Sequence, residues 1–206
     1  MANELERPAP PALPLATETY DRPFMDQNSN VLRLFFTRLI NAFDNLVSTD
    51  DGGRFLYMPR GSFYSTVDQT AAMTNTGYAV TFNSTHHTDS ITLSNNSRIN
   101  VTYAGTYQFS ITLQIEHNNS SEATVTVWEK LNGTTDTSYS GHLFDVKGND
   151  FYVVNWVFTR ALEANDYIEI YWATTDAQLN LHAETASALH PGVASATVDV
   201  TFGTNS

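Results

Sequence analysis

The stretch Ile99–Ile115 constrains this chain more than any other. Ile99, Val101 and Tyr103 alternate with Asn100 and Thr102, Gly105 interrupts, and Tyr107, Phe109, Ile111, Leu113 and Ile115 then alternate with Thr106, Gln108, Ser110, Thr112 and Gln114. A period of two over two segments is the mark of strands with one buried and one wet face. The second run is long for a strand and aromatic at its start. It reads as the central strand of a β-sandwich, fed by a tight turn at Ala104-Gly105.

The same pattern fills residues 62–206. Short alternating runs are expected at Ser62–Thr66, Tyr78–Asn83 and Asp89–Leu93. After the polar stop at residues 117–121, Ala123, Val125, Val127 and Glu129 alternate with Thr124, Thr126, Trp128 and Lys130. Asn132-Gly133 is a hairpin turn signal. Tyr139–Val146, Phe151–Leu162, Tyr167–Ala173, Leu179–Glu184 and Ala194–Phe202 complete about ten strands with no helix signal between them, which is the pattern of a mainly β sandwich and not of an α/β fold.

The first part of the chain differs. Residues 1–25 hold five of the seven prolines, at 8, 10, 11, 14 and 23. Proline fixes φ and removes an amide donor, so this arm is expected to run extended and to be ordered by lying on something else. Leu13, Leu15, Tyr20 and Phe24 are its candidate docking side chains. Residues 26–48 are the one predicted helix, of about 22 residues and roughly 33 Å. Leu32, Phe35, Leu39 and Leu46 form one apolar stripe, and Phe36, Ile40 and Phe43 form a second beside it. Together they make a face wider than a two-stranded coiled coil needs. These seven residues are the expected interface of a three-helix clamp; packing on the β-domain of the same chain is the alternative. Residues 49–61, with Gly52, Gly53, Pro59 and Gly61, form a linker.

Charge and motifs exclude several functions. The net charge is −12, and residues 61–206 carry four Lys and Arg against fourteen Asp and Glu. A nucleic-acid groove is not expected there. No Cys is present, so neither disulfides nor thiol chemistry are available. The N-terminus has no signal-peptide pattern and no stretch reads as a membrane span. The six histidines form no zinc-helix spacing. His86-His87 with Asp89 reads as a loop before it reads as a surface metal site. No nucleophile elbow or phosphate loop occurs. Glu122, Glu129, Glu163, Asp166 and Glu169 contain enough carboxylates for a glycosidase pair, but solvated turns and wet strand faces explain them more simply. The chain is read as a non-enzyme with no cofactor and no metal.

Aromatic strand residues belong more often to a core or subunit interface than to a ligand site. Trp128 and Trp172 are nonetheless the candidate glycan contacts, because each shares parity with polar neighbours over part of its strand. Six Asn-x-Ser/Thr sequences reflect an Asn- and Thr-rich surface.

Two resemblances add to this reading. Tyr78-Ala-Val-Thr-Phe-Asn83 followed by Ile99–Ile111, with Gly105, Tyr107 and Phe109 as a Gly-x-Tyr-x-Phe segment, resembles the heads of the tumour-necrosis-factor and complement globular-head superfamily. Val125–Val127 before Asn132-Gly133, Leu162–Ile168 and Ala196–Gly203 are similar to later strands of that family. The resemblance covers residues 62–206. It implies a jelly roll, with Tyr107, Phe109, Ile111 and Leu113 in its core, that trimerises through one sheet edge and an aromatic face. No collagen stalk or membrane anchor accompanies it here. Separately, Leu13–Ile40 resembles the N-terminal anchoring segments of structural proteins in tailed bacteriophages. The resulting expectation is a virion structural protein: a homotrimeric fibre, knob or decoration protein. Its arm binds other virion proteins of capsid, neck or tail, and its head is open to a host surface glycan, with no nucleic-acid or membrane partner. The alternative is a soluble trimeric complement-head-like module that binds carbohydrate or protein.

Overall fold

The computed structural model describes residues 11–13, 15, 18–47, 58–135 and 139–204. The chain divides into two compact units, one up to Tyr57 and one from Met58. Most of the linker expected at 49–61 lies outside the described residues, as do residues 1–10 of the arm.

The first unit is built on α1 (Arg22–Val47). The helix begins four residues before the expected Asp26. The Met25 amide donates to the Asp21 carbonyl at 3.1 Å, so the first turn closes there. Pro23 does not prevent this, because amides of a first helical turn have no intrahelical acceptor to lose. Phe24 therefore belongs to the helix and not to the extended arm. Thr37 returns its hydroxyl to the Arg33 carbonyl at 2.9 Å, and Arg33 donates to Asn30 at 3.1 Å.

The second unit is a sandwich of two antiparallel sheets, a jelly-roll-like head. In the first sheet β7 (Gly105–His117) is central. One of its edges pairs with β14 (Ala196–Thr204) and β13 (Leu179–Leu181), the other with β11 (Asp150–Leu162). Beyond β14 come β1 (Arg60–Ser65) and β4 (Ser84–Asp89), and β2 (Gln69–Thr70) borders β13. The second sheet runs β10 (His142–Val146), β8 (Ala123–Leu131), β12 (Tyr167–Thr174), β6 (Arg98–Val101), β5 (Ile91–Ser94), with β3 (Tyr78–Ala79) on β12 and β9 (Thr134–Thr135) on β8.

The alternation of the organising stretch is realised in two sheets. Ile99 and Val101 sit in β6, and the chain then crosses to β7, where Tyr107, Phe109, Ile111, Leu113 and Ile115 are all buried. The buried Tyr107 keeps its hydroxyl satisfied by donating to the Tyr103 carbonyl at 2.7 Å, which pins the crossing. Facing them from the second sheet are Val125, Val127, Ile168, Ile170 and Trp172 in one continuous core. Each such side chain contributes about 1.5–3 kcal/mol on burial. Asn132 and Gly133 both have positive φ, 49° and 77°, the geometry of a type I′ hairpin between β8 and β9.

Two expectations are corrected here. Residues 84–89 form an edge strand and not a loop. Ser-Thr-His-His-Thr-Asp is polar at both parities because both faces of this strand are wet, so no alternation marks it. Trp172 is 1% exposed and packs in the core near Tyr78, so it is not available to a glycan.

Candidate interaction surfaces

The head exposes one apolar edge. β11 ends the first sheet and β10 ends the second, and no strand pairs with their outer sides among the described residues. The two strands meet through side chains: His142 lies edge-on to Trp156 at 5.0 Å, and Phe144 stacks with Tyr152 at 6.4 Å. Leu143, Phe151, Tyr152, Val153 and Val157 are each between 47% and 67% exposed. Neither strand contains Pro or Lys, residues that commonly protect an open edge. By register Phe151, Val153 and Val157 share the outer face of the first sheet with Gln114, and Leu143 shares the outer face of the second with Thr126, so exposed apolar side chains flank the open edge on both sides.

The helix is barer still. Among Arg22–Asp44 no residue is buried. Leu32, Phe35 and Leu39 are half-buried, as are Phe24, Val31 and Ala42 on the same side, while Phe36, Ile40 and Phe43 are 54–57% exposed. The expected two stripes are thus distinct, and among Arg22–Asp44 neither contains a buried residue. The Leu46 side chain lies outside the described residues. Of the arm, Leu13, Leu15 and Tyr20 are exposed. No described helix is long and apolar enough to cross a membrane.

The outer face of the second sheet carries charges and rings. Trp128 and Tyr171 are cross-strand partners, 5.7 Å apart and tilted. Lys130 places its ammonium 3.8 Å from the Tyr171 ring centre, and the Arg98 guanidinium lies 4.7 Å from that of Tyr167. Glu169 is buried between them, accepting from the Ser97 hydroxyl at 2.8 Å with Arg98 Nε at 3.5 Å. Burial, reinforced by the Glu169 charge, raises the Tyr171 pKa, while Arg98 opposes the shift. Trp128 is half-buried because the chain at Gly77 lies on it; a Cβ on Gly77 would come within 2.8 Å of the indole. This tryptophan seats a loop and offers only part of its surface.

A second ion pair joins the sheets. Glu129 points inward from β8, 2% exposed, and receives Arg160 of β11 through Nε at 3.0 Å and through a second nitrogen. Glu129 and Glu169 are thus buried and not solvated as expected; the sequence shows Glu129 on an apolar parity but cannot show its partner, which is far along the chain. At the opposite end of the β7–β11 pair, His117 is buried, with Nε2 3.3 Å from Asp176 Oδ2. The Gln178 amide is the main cause that holds the Asp176 carboxyl below its ordinary pKa; burial opposes it, and Asn119 and His117 add smaller lowering effects. His182 Nδ1 sits 3.3 Å from Asp68 and 3.4 Å from Glu116. Among the described residues no cluster has the arrangement of a metal site.

A cleft of about 380 Å³ opens on the outer face of the first sheet. Tyr64, Thr66, His86 and Thr197 line one side, and the segment Glu184–Ala194 lines the other. No sequence signal joins these positions, because they converge only through the pairing of β1 with β4 and β14.

No protein-family model matches the chain, and no curated protein matches it. Solved structures resemble it in fold. Murine APRIL at pH 5.0 is 9% identical with a TM-score of 0.48, covering 71% of this chain and 99% of that one. Eiger TNF from S. frugiperda is 8% identical with a TM-score of 0.48, covering 72% and 94%. Murine APRIL at pH 8.0 is 10% identical with a TM-score of 0.47, covering 71% and 99%.

Proposed function

We propose that this chain is a non-enzymatic, self-associating structural protein of a virion: a homotrimer whose N-terminal arm binds a capsid, neck or tail protein and whose head faces outward. The observation that carries the reading is uncovered apolar surface in both units. Phe36, Ile40 and Phe43 on the helix, and Phe151, Val153 and Val157 on β11, are all more than half exposed. A lone soluble chain gains nothing from such surfaces, whereas copies of itself bury them. Two stripes on one helix favour three strands over two. Linking two weak contact zones in one chain raises effective concentration, so helix and head reinforce each other on assembly. The resemblance of Leu13–Ile40 to phage anchoring segments supports the placement in a particle, and the exposed Leu13, Leu15 and Tyr20 are the side chains left for that partner.

Mass photometry of the purified protein tests the assembly. Three chains of 22.9 kDa, about 69 kDa, is the expected particle. Leu39→Asp, which puts a charge into the first stripe, is expected to reduce it to monomers; an unchanged trimer refutes the helical clamp. Cryo-electron microscopy of a particle containing the protein tests the anchor, with residues 11–20 expected against another virion protein. An arm in contact only with its own head overturns the virion placement and favours the soluble trimeric module.

A further inference from the structure

We propose that the cleft between β1, β4, β14 and the Glu184–Val193 hairpin is a binding site for one ring of a neutral sugar. This deepens the reading of the head as an outward-facing adhesive surface and rests on that reading. The aromatic wall is preformed: Tyr64 of β1 stacks on His86 of β4 with ring centres 4.1 Å apart and planes 19° from parallel. Thr197 is the direct cross-strand partner of Tyr64 on β14.

The opposite wall is a closed hairpin. Glu184 and Val193 exchange two backbone hydrogen bonds, at 2.9 and 2.8 Å. Its tip is tied by the Ser187 amide donating to the His190 carbonyl at 3.0 Å, and by the Leu189 amide donating to the Ser187 hydroxyl at 3.1 Å. The Glu184 carboxylate lies 3.4 Å from His190 Nε2, which positions it at the mouth. At Gly192 an added Cβ would approach the Glu184 carbonyl to 3.3 Å, so glycine lets the two arms close.

The chemistry of the lining selects the ligand. The volume, about 380 Å³, is at the low end for small-molecule sites and suits a single ring. Stacked aromatics offer an apolar face to the C–H side of a pyranose. The hydroxyls of Thr185 and Thr197 have no protein partner among the described contacts, and Glu184 can accept from sugar hydroxyls. No Lys or Arg lines the cleft, and the chain carries −12, so phosphorylated or carboxylated ligands are disfavoured.

Saturation-transfer NMR on the full-length protein tests this, with the methyl glycosides of glucose, galactose, mannose and N-acetylglucosamine as probes. At least one is expected to bind, with a dissociation constant on the order of millimolar. Tyr64→Ala and Glu184→Gln are each expected to weaken it by about tenfold or more. Glu184 is exposed on the hairpin, so Glu184→Gln decides the matter should Tyr64→Ala not fold. The proposal is overturned by absence of transfer to all four sugars or by binding that survives both variants. It is equally overturned by binding lost on Trp128→Ala, which would place the sugar on the second sheet. Mass photometry of the same samples separates the two readings: a trimer that binds no sugar removes the cleft proposal alone, and a monomer removes the assembly.

Discussion

β7 and β11 are both thirteen residues long and pair with each other along their whole length, yet they use their apolar residues differently. β7 is flanked on both edges and buries every second side chain from Tyr107 to His117. Among the described residues β11 has a neighbour on one edge only. Its inward residues Val154, Trp156 and Leu162 join the core, but Phe151, Tyr152, Val153 and Val157 stay exposed. The head's own folding accounts for the inward set and not for the second one. Apolar residues that a strand spends on both faces at an open edge are there for another surface. The helix repeats the lesson, with two apolar stripes and no buried residue from Arg22 to Asp44.

The comparison is broken most directly by removing core volume from β7. Phe109 is fully buried and stacks on Phe158 at 4.9 Å. Phe109→Ala is expected to destabilise the head by about 3–5 kcal/mol in urea unfolding, through lost transfer energy and a residual cavity. A cost below about 1 kcal/mol would mean that β7 is not the organising strand.

The next effect tests whether the inward face of β11 belongs to the core. Arg160→Met leaves the buried Glu129 carboxylate without its cation and is expected to cost about 3 kcal/mol. Adding Glu129→Gln is expected to recover much of that loss, because the double variant has no buried charge to strand. If the single variant unfolds at the same urea concentration as the parent, β11 contributes little to the head on either face.

These residues also mark how far the sequence could be read. The inward faces of β7, β8 and β12 follow from alternation alone, and Asn132-Gly133 locates its hairpin, because in these places one face is buried and the turn chemistry is local. β4 was invisible because neither of its faces is buried. The helix starts earlier than its sequence suggests because Pro23 occupies the first turn, where a proline costs no hydrogen bond. Trp172 shares parity with Ile168 and Ile170 and Trp128 with Thr124 and Thr126, so the alternation that names the inward faces already separates the two, and the glycan expectation for Trp172 runs against it. The two helical stripes were legible, but the β10–β11 edge was not, since an inner and an outer apolar residue look the same until the sheet order is known. The cleft was out of reach because it draws on residues 64, 86 and 184–197.

A smaller effect comes from the end of the β7–β11 pair, where His117 opposes Asp150. Asp176 beside His117 has a depressed pKa, so its ionised form is favoured by the fold. Its contribution is therefore present above the ordinary carboxylate value of 3.8 and is lost as pH falls from there through the folded-state value. Asp176→Asn is expected to be less stable than the parent at pH 7, by less than either core substitution. The gap should close in acid below about 3.8, read from urea midpoints across pH. A gap that persists unchanged in acid would assign the loss to geometry and not to charge.

The smallest change in stability should accompany the most informative change in assembly. Val153 lies on the outer face of β11, opposite Gln114, and is more than half exposed. Val153→Asp removes no core contact, so the unfolding midpoint of the head is expected to move by no more than about 0.5 kcal/mol. If β11 meets another copy, the same substitution places a charge in a desolvated contact, and the trimer should dissociate at higher protein concentration by about tenfold or more. Comparing it with Leu39→Asp separates the two zones. A trimer weakened by both variants has helix and head acting together. A trimer indifferent to Val153→Asp is held by the helix alone and leaves the apolar edge to a different partner. A head that unfolds on Val153→Asp would show that this side chain belongs to the core after all, and the distinction between the two strands would fail.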